Sequence, residues 1–426
     1  MENLLETAKK LDAEDRLGHF RDRFYIPARS GGGEQAYFCG HSLGLQSRSV
    51  ESTIREELVA WRDRAVYGHF TGELPWMDCN DALCQQLAGL TGAQPSELVV
   101  MNTLSVNLNL LMVSFFRPQG DRRKILIEKH AFPSDRYAVA SQLQFHGLDP
   151  AECMVELGPE PGAQLIEESQ VEDYLRSHGD EVALVLWPGV QYITGQAFDL
   201  PRLAAAAHAA GSMIGFDLAH YIGNIPLSLD ESGCDFAAWC HYKYLNSGPG
   251  AVGGCFVNQR HHQANGLPRF TGWWGNDRSS LFRMEHDFKP ARGAAGWQMS
   301  NPPILAMAPI RASLALFEEA GMARLRQKSL ALSDYLVTGI QSQLDDILEI
   351  LTPGDSARRG CQLSLRVRAG RESGRELFSY LEQRGIITDW REPDVIRVAP
   401  VPLYNRFEDC CTFLQHISEW RALTGS

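Results

Sequence analysis

Short apolar runs alternate with amphipathic stretches over the first 260 residues of the chain. Six of these runs have the length and composition of buried strands, and several of the segments between them repeat apolar residues at helical spacing. The predicted strands lie at 97–102, 124–129, 181–188, 212–217, 235–240 and 251–258, and the predicted helices at 47–64, 105–116, 133–145 and 199–211. Strands that alternate with helices predict an α/β fold with a mostly parallel sheet covered by helices on both faces.

The pattern changes near residue 300. One long helical stretch at 305–344 is followed by apolar runs at 348–352, 361–368, 386–390 and 394–400, with helices at 372–384 and at the end of the chain. This order is typical of a smaller α+β domain. We therefore predict an extension over 1–45 that joins the small domain, a large domain over 46–310, and the small domain over 311–426.

Length and composition are those of a globular protein. The 426 residues are 44% hydrophobic, and 40 basic against 52 acidic residues give a net charge of −12. Nucleic acid is not an expected partner, because a phosphate-binding surface needs clustered positive charge. The N-terminus lacks the layout of a signal or transit peptide, and no apolar run reaches the roughly 18 residues of a membrane span, so a cytoplasmic location without a membrane partner is expected. Ten scattered cysteines without CxxC spacing predict reduced thiols and no metal site.

One glycine-rich segment has the spacing of a dinucleotide-binding fingerprint without its context. Gly248, Gly250 and Gly253 are spaced as GxGxxG. In a dinucleotide-binding fold this motif follows a strand and opens a helix, whereas here it leads into an apolar strand. A nicotinamide or flavin is therefore not expected, and a turn that lets the backbone approach a ligand is the better interpretation.

Two residues near the ends of predicted strands carry the most informative chemistry. Asp217 ends the run 212–217, at the end of the sheet where open α/β folds bind ligands. Lys243 follows the run 235–240 among aromatic residues and glycines, where an ammonium is costly to bury unless it is paired or converted to an imine. A lysine imine and an aspartate beside a pyridinium nitrogen are what pyridoxal 5′-phosphate (PLP) requires. The two residues alone leave open a helix-capping Asp217 and an ordinary loop Lys243.

Seven motifs resemble the kynureninase family of PLP enzymes, in the aminotransferase class V branch of the aspartate aminotransferase superfamily. They are YFCGHSLG (37–44), TLSVN (103–107), AFPSD (131–135), FDLAHYIGN (216–224), HYKYLNSGPGAVGG (241–254), TGWWG (271–275) and MSNPP (299–303). Their order and spacing are similar to that family over nearly the whole chain. The resemblance implies the PLP-dependent transferase fold of the aspartate aminotransferase type. It also implies a homodimer with its active site at the subunit interface.

The resemblance implies a role for each candidate cofactor residue. Lys243 would hold PLP as a Schiff base and act as general base, Asp217 would keep the pyridine nitrogen protonated, and Tyr242 would transfer protons. Its position one turn past Asp217 predicts that His220 orients that carboxylate by a hydrogen bond, although an isolated histidine is nearly as often structural. Leu104 and Ser105 would bind the phosphate at a helix start, Phe132 would stack on the ring, and Asp135 would hold its polar edge. The other implied cofactor contacts are Pro133, Ser134, Trp273 and Asn301.

The resemblance places a small amino-acid substrate between two groups of residues. Ser42, His69 and Asn301 would contact its aromatic end, and Arg397 would clamp its α-carboxylate with two parallel hydrogen bonds. Trp273 and Asn301 would act partly across the dimer interface. Taken alone, the residues leave open a helix-capping role for Ser105, a packing role for Trp273 and a structural role for His69. If Arg397 contacts only substrate, Arg397→Lys should leave the melting temperature unchanged, whereas a buried ion pair would make it fall.

The implied enzyme is a hydrolase acting on carbon–carbon bonds in ketonic substances. It would cleave L-kynurenine or its 3-hydroxy form to anthranilate or 3-hydroxyanthranilate and L-alanine, in tryptophan catabolism by the kynurenine pathway or in NAD biosynthesis. Two alternatives remain open. A cysteine desulfurase or class V aminotransferase would keep PLP, but a desulfurase needs a mobile reactive cysteine, and Cys361 begins a strand-like run. A cofactor-free binding protein would leave Lys243 idle.

Overall fold

The computed structural model describes residues 2–263 and 267–424. Two of the predicted domain limits, at residues 1 and 426, lie outside these ranges. The α-helices are α1 Glu2–Glu14, α2 Ser49–Arg64, α3 Cys79–Thr91, α4 Leu104–Phe115, α5 Pro133–Phe145, α6 Pro150–Cys153, α7 Glu168–His178, α8 Leu200–Ala209, α9 Leu229–Ser232, α10 Ile304–Ala320, α11 Met322–Gln343, α12 Arg371–Gln383 and α13 Phe407–Thr424. The strands are β1 Ala36–Tyr37, β2 Leu98–Val100, β3 Lys124–Glu128, β4 Met154–Leu157, β5 Val182–Pro188, β6 Met213–Asp217, β7 Phe236–Cys240, β8 Gly253–Val257, β9 Leu348–Ile350, β10 Leu363–Val367, β11 Ile386–Ile387, β12 Asp389–Arg391 and β13 Val395–Val398. Short 3-10 helices lie at Gly18–Arg23, Ala65–His69, Pro95–Glu97, Gln259–His261, Trp273–Gly275, Leu281–Arg283, Gly293–Trp297 and Ser356–Arg358.

Seven strands form the large sheet, in the order β2-β8-β7-β6-β5-β3-β4. The pairs β3–β4, β3–β5, β5–β6 and β6–β7 are parallel, and β8 runs antiparallel to both of its neighbours. Successive side chains of a strand point to opposite faces, and Leu184 and Val185 of β5 accordingly belong to different core clusters. Helices α4 and α5 cover one face, and α3, α7, α8 and α10 cover the other. The predicted α/β architecture is confirmed.

The parallel strands bring chemically active residues to one end of the large sheet. Glu128 ends β3, and Asp217 ends β6 opposite Pro188 of β5 and Ala238 of β7. Lys243 lies three residues beyond the end of β7. Because parallel strands all end on the same side of a sheet, these side chains are collected there, as the sequence predicts for Asp217.

The C-terminal part of the chain builds a second, antiparallel sheet in the order β12-β13-β10-β9, here called the small sheet. Its core contains residues of α11, α12 and α13, together with Ala8 and Phe38 from the N-terminal segment. Strand β1 pairs in parallel with β11, and α1 packs on α13. Phe20 and Phe24 of the same N-terminal segment belong to the core of the large sheet. The limits at 45 and 310 remain predictions.

The predicted single helix over 305–344 is wrong, because the chain breaks it at Gly321 into α10 and α11. Gly321 has φ +77° and ψ +126°, a backbone conformation that glycine adopts readily and other residues adopt at a cost. The apolar pattern continues on both sides of the break, so periodicity alone did not reveal it. The single run predicted at 386–390 likewise forms two strands, β11 and β12, that pair with different partners.

The structure also bears on the cysteines, on metal binding and on membrane insertion. All ten cysteines are free and buried. Over residues 2–263 and 267–424, no three or more His, Cys, Asp or Glu side chains are grouped so as to hold a metal ion. No helix in the same ranges has both the length and the apolar character needed to cross a membrane.

Candidate active site

A cavity of about 260 Å³ lies where the parallel strands of the large sheet end, bordered by residues of the small sheet. It gathers most of the residues predicted from the sequence. Those that line it are Ser42, Leu104, Ser105, Phe132, Ser134, Asp135, Asp217, His220, Tyr242, Lys243 and Arg397. Pro133 is the first residue of α5, between two of these lining residues.

One end of the cavity fits a phosphate group. Helices α4 and α5 both begin there, and the first amides of a helix have no partner within the helix and carry partial positive charge. The hydroxyl oxygens of Ser105 and Ser134 lie 2.5 Å apart, which joins the two helix starts. Thr103, the residue before α4, is extended and makes no capping hydrogen bond through its side chain. The first-turn amides of α4 and the two hydroxyls are therefore suited to an anion.

Three carboxyl groups line the same cavity. Asp217 is 8% exposed, and its Oδ1 accepts a hydrogen bond of 2.8 Å from the Ala219 amide. Glu128 and Asp135 are also buried, and Oε2 of Glu128 and Oδ1 of Asp135 have no hydrogen-bond partner among the described residues. Burial raises the pKa of Glu128 and of Asp135 well above their ordinary values, and the neighbouring Asp217 adds to both shifts. Orphaned buried oxygens of this kind fit the protonated nitrogen and polar edge of a pyridine ring.

Lys243 lies on a tight turn that the surrounding structure holds in place. His241 accepts a hydrogen bond of 3.0 Å at Nε2 from Trp239 Nε1, and its Nδ1 donates to the Val252 carbonyl at 2.5 Å. The Lys243 ammonium lies 5.9 Å from the centre of the Phe132 ring and forms no ion pair with any residue that the structure describes. An unpaired amine beside an aromatic ring is accessible to a carbonyl group in the cavity.

The glycines near Lys243 have two roles: Gly248 and Gly250 form a turn with open space around it, and Gly44 allows a close backbone contact. Gly248 and Gly250 have φ +84° and +76° and form the turn that leads into β8, and no helix follows them. The Gly44 amide donates a hydrogen bond of 2.8 Å to the Tyr242 carbonyl, and a Cβ at Gly44 would collide with the Lys243 carbonyl. The N-terminal segment can therefore pass directly over the lysine turn.

Tyr242 and His220 both keep their neutral forms. Burial raises the pKa of Tyr242, so its phenol retains its proton. Burial, and then the charge of Lys243, lower the pKa of His220 well below its ordinary value. The predicted hydrogen bond from His220 to Asp217 is wrong, since the structure gives none between them. The Ala219 amide orients the carboxylate instead, and the His220 ring lies 6.3 Å from the ring of His41.

Arg397 lies on β13 and is 1% exposed. Its Nε donates to the Asp389 carboxylate at 2.6 Å, its Nη1 to the Tyr192 carbonyl at 2.8 Å, and its Nη2 to the Ser42 hydroxyl at 3.3 Å. The expectation that Arg397 contacts only substrate is therefore wrong. The buried guanidinium already has an ion-pair partner in Asp389, whose carboxylate accepts from both Nε and Nη2.

Three predicted residues do not reach the cavity of a single chain. His69 ends the 3-10 helix Ala65–His69, and its ring packs 5.0 Å from that of Trp76. Trp273 is 43% exposed and donates from Nε1 to the Leu281 carbonyl at 3.2 Å. Asn301 is exposed just before α10. Their roles in binding remain predictions.

Sequence reasoning missed several residues of the cavity and its surroundings. They are His41, Glu128, Tyr192, Asp389 and Arg391. Glu128 could have been found, because it ends a predicted strand as Asp217 does. His41 stands beside Ser42 in the quoted motif GHSLG. The pairing of Asp389 with Arg397 depends on strand register, for which the sequence carried no signal.

Comparison with known proteins agrees with this geometry. A family model described as the kynureninase C-terminal domain matches residues 325–417. A kynureninase of Stenotrophomonas maltophilia is 55% identical over 97% of both chains, and a kynureninase of Xanthomonas campestris pv. campestris is 54% identical over the same shares. The chain belongs to the kynureninase family. The resemblance carried by the seven sequence motifs is confirmed.

Solved structures support the fold of this kynureninase-family chain. A cysteine desulfurase of Thermococcus onnurineus covers 91% of the chain and 94% of its own length, with a TM-score of 0.73 at 17% identity. The cysteine desulfurase CsdA of Escherichia coli covers 96% and 99%, with a TM-score of 0.75 at 16% identity. A C-DES variant with glycine linked to its PLP covers 90% and 96%, with a TM-score of 0.75 at 18% identity. At such identities these likenesses establish the fold alone, the PLP-dependent transferase fold.

The chemistry of a desulfurase is not built into this cavity. Cys361 is fully buried, and burial raises the pKa of its thiol to about 12. Its amide is also fixed by a hydrogen bond of 2.9 Å to the Asn224 side chain. A buried thiol with a raised pKa lacks the exposed thiolate that a desulfurase uses to attack a substrate sulfur.

Proposed function

We propose that this chain cleaves the Cβ–Cγ bond of L-kynurenine with water, giving anthranilate and L-alanine, with PLP bound in the cavity. The observation that carries the proposal is the meeting of Lys243, Asp217 and two helix starts in one cavity of a kynureninase-family chain. PLP, when bound, accepts the electrons released as bonds to the substrate Cα break. The enzyme is accordingly a hydrolase acting on carbon–carbon bonds in ketonic substances, as expected for tryptophan catabolism.

The cofactor would be held at three points. The start of α4 with Ser105 and Ser134 would bind its phosphate, and the Phe132 ring would pack against the pyridine ring. Asp217 would keep the proton on the pyridine nitrogen, with Asp135 beside it. Lys243 would supply the amine that the substrate amino group displaces. The turn that fixes Lys243 places this amine on the Phe132 side of the cavity.

Two residues would move protons in the reaction. Freed from the cofactor, Lys243 Nζ would take the proton from the substrate Cα and would return it to that carbon after the Cβ–Cγ bond has broken. Because burial raises the pKa of Tyr242, its phenol holds a proton that it can give to Cβ of the alanine fragment. The hydroxyl of the water ends on the carbonyl carbon that becomes the anthranilate carboxyl group, and the remaining proton of the water restores the phenol. Arg397 would hold the α-carboxylate throughout.

Product analysis tests this proposal directly. The PLP-loaded protein is incubated with L-kynurenine and, separately, with 3-hydroxy-L-kynurenine, and L-alanine is measured together with fluorescent anthranilate or 3-hydroxyanthranilate, respectively. Equal amounts of the two products are expected from wild type, and none from Lys243→Ala, which should still bind PLP non-covalently. Lys289→Ala, at an exposed lysine paired with Glu285, is the matched control and should keep full activity. Turnover and imine absorbance retained in Lys243→Ala would overturn the assignment.

We also propose a homodimer in which Trp273 and Asn301 of one copy complete the site of the other. An exposed aromatic cluster supports this arrangement: the Phe282 ring lies 5.7 Å from Trp273 and 5.8 Å from Phe70. Exposed apolar patches mark interaction sites on soluble proteins. His69, beside Phe70, would reach the substrate in the same way.

The remaining assignments are proposals of the same kind. Residues 1–45 would extend the small domain at 311–426, and residues 46–310 would form the PLP-binding domain; the matched family model at 325–417 lies inside the small domain. We place the protein in the cytoplasm, where its ten buried free thiols would stay reduced. A contribution to NAD biosynthesis would require turnover of the 3-hydroxylated substrate.

A further inference from the structure

Asp389 stands at the centre of a charged cluster on the small-sheet side of the cavity. It faces Arg397 directly across the antiparallel pair β12–β13, and Arg391 follows it on the same face of β12. Its carboxylate accepts from Arg397 Nε at 2.6 Å and from Arg391 Nε at 2.9 Å, and a second hydrogen bond comes from Arg397 Nη2. Both arginines line the cavity.

His41 approaches the same carboxylate from the N-terminal segment. It is fully buried, with its Nε2 3.4 Å from an Asp389 oxygen. Burial, followed by the charge of Arg397, lowers the pKa of His41 to about 3, so the ring is neutral. A neutral imidazole can donate an N–H to the carboxylate without adding charge. The cluster therefore holds two positive groups and one negative group, a net charge of +1 that matches one substrate carboxylate.

We propose that Asp389 is a positioning residue for recognition of the substrate α-carboxylate, an inference that rests on the proposed function. It accepts hydrogen bonds from both Nε and Nη2 of the Arg397 guanidinium. The outer Nη edge of the guanidinium, where Nη1 donates to the Tyr192 carbonyl and Nη2 to the Ser42 hydroxyl, lies beside residues that line the cavity. The substrate carboxylate would bind on this Nη side, so the fork geometry of Arg397 is set before substrate arrives.

The charges explain why the carboxylate is needed between the two arginines. Without Asp389, Arg391 and Arg397 would present like charges to each other in a poorly solvated site, and they would move apart. Arg391, whose side chain is 34% exposed, can turn toward solvent, whereas the enclosed Arg397 would lose the carboxylate that fixes its Nε and Nη2 and with it its orientation beside Ser42. A displacement of about 1 Å at a positioning group costs on the order of 100-fold in rate.

Asp389→Asn removes the charge and nearly preserves the shape. Its matched control is Asp394→Asn, because Asp394 makes the same type of contact, 2.9 Å to Arg366 Nε, beside the same sheet but outside the residues that line the cavity. We expect KM for L-kynurenine to rise roughly ten- to 100-fold in Asp389→Asn, with a smaller change in kcat and an unchanged cofactor absorbance. Asp394→Asn should keep the wild-type KM.

A binding experiment separates this inference from the proposed reaction. The holoenzyme is titrated with L-alanine and with L-alaninamide, and the change in cofactor absorbance is followed. Wild type should prefer the carboxylate, and Asp389→Asn should lose most of that preference. If wild type makes no anthranilate, the proposed function fails, but the titration still tests Asp389.

Two outcomes would overturn the inference. A KM within twofold of wild type would show that Asp389 does not position Arg397, and tighter carboxylate binding would show that it competes with substrate. If Asp389→Asn does not fold, Asp389→Glu keeps the charge while moving it by one methylene. KM should then rise by less than is expected for Asp389→Asn, and a wild-type KM in Asp389→Glu would count against the inference equally.

Discussion

The three carboxyl groups of Asp217, Glu128 and Asp135 differ in the groups that surround them. Asp135 and Glu128 are buried without full hydrogen bonding, and burial raises the pKa of both carboxyl groups, with Asp217 adding to each shift. Asp217 has a backbone amide oriented toward its carboxylate. The three groups are therefore not interchangeable, although all three stand at the same end of the sheet.

Asp217→Asn should remove the charge that holds the cofactor's nitrogen proton while leaving the fold intact. We expect kcat to fall at least about 100-fold, since each 1.4 kcal/mol or so of barrier is tenfold, and Asp217→Glu to do less harm. Steady-state rates and melting temperatures of both variants test this. Asp199→Asn is the control, because asparagine caps helix α8 as well as aspartate does. Near-normal turnover in Asp217→Asn would mean that another carboxyl group supplies the charge.

Arg397→Lys should affect both binding and stability, because the side chain has a protein partner as well as a proposed substrate. Lysine keeps the charge but loses the planar fork and the contact with the Tyr192 carbonyl. We expect a higher KM together with a lower melting temperature. Arg366→Lys, which loosens contacts with Asp394 and Glu349 outside the cavity lining, should change only the melting temperature. An unchanged KM in Arg397→Lys would remove Arg397 from the site.

The sequence predicted individual site residues unevenly, for physical reasons. Asp217 and Lys243 could be predicted because strand ends meet at one side of a parallel sheet. The partners of Arg397 could not, because a contact across β12 and β13 depends on a register that apolar patterning leaves undetermined. Trp273 and Asn301 were identified by resemblance alone, and a single chain leaves them outside the cavity.

At the scale of elements, the break between α10 and α11 depends on one backbone conformation. Gly321 lies between two helices that both carry apolar faces, and glycine inside a helix is tolerated often enough to hide a break. The short strand β4 and the helices α3 and α7 were also not predicted. By contrast, α5 has the bounds predicted from its proline start and apolar spacing.

Gly321→Ala should destabilise the protein by roughly 1–2 kcal/mol, because alanine is strained at φ +77°. A Cβ there would meet only ordinary contacts with Arg324, so the backbone is the sole cause. Gly89→Ala, the same substitution inside helix α3 with open space around it, should be neutral or stabilise by about 0.5–1 kcal/mol. Chemical denaturation of both variants tests the pair. Equal effects of the same sign would contradict the explanation.

Asp235→Asn tests how much one buried carboxylate, hydrogen-bonded to several elements, contributes to stability. Burial alone would raise the pKa of Asp235, but hydrogen bonds from His208, His261, the Ile214 amide and Arg260 outweigh burial and lower it. Breaking this network should cost about 3 kcal/mol at pH 7. Because the folded pKa is lowered, the difference from wild type should persist above the unfolded value of about 3.9 and shrink below it.

Denaturation curves at neutral and acidic pH measure this dependence for Asp235. The control is Asp173→Asn at an exposed ion pair with Arg176, which should change stability little at any pH. A pH-independent loss in Asp235→Asn would mean that the charge of this carboxylate is not what stabilises the network.

For the whole molecule, the alternation of strands and helices was enough to predict the architecture. It did not predict that β8 runs antiparallel, because a buried strand reads the same in either direction. It also did not predict that the N-terminal segment contributes to both cores, with Phe38 in one and Phe24 in the other. Long-range placement of this kind is decided by packing between distant parts of the chain.

Mixing two inactive variants tests the shared site of the proposed dimer. One copy carries Lys243→Ala, and the other carries Trp273→Ala with Asn301→Ala. After dissociation and reassociation, about half of the dimers are hybrids with one intact site, so about a quarter of wild-type activity should return. Mixing Lys243→Ala with Asp217→Asn should restore none, because Lys243 and Asp217 line the cavity of one chain. No recovery in the first mixture would place the site within a single subunit.

The cavity combines residues from opposite ends of the chain. Its cofactor-binding and substrate-binding residues are therefore synthesised at different times. Ser42 and Arg397, joined by a hydrogen bond, are separated by 355 positions. A ribosome working at about 5–20 residues per second needs about 20–70 s to cover that distance. Ser105, Asp217 and Lys243 all leave the ribosome well before Arg397. A nascent chain can therefore acquire the groups that capture an aldehyde cofactor before it has the arginine that selects an amino acid.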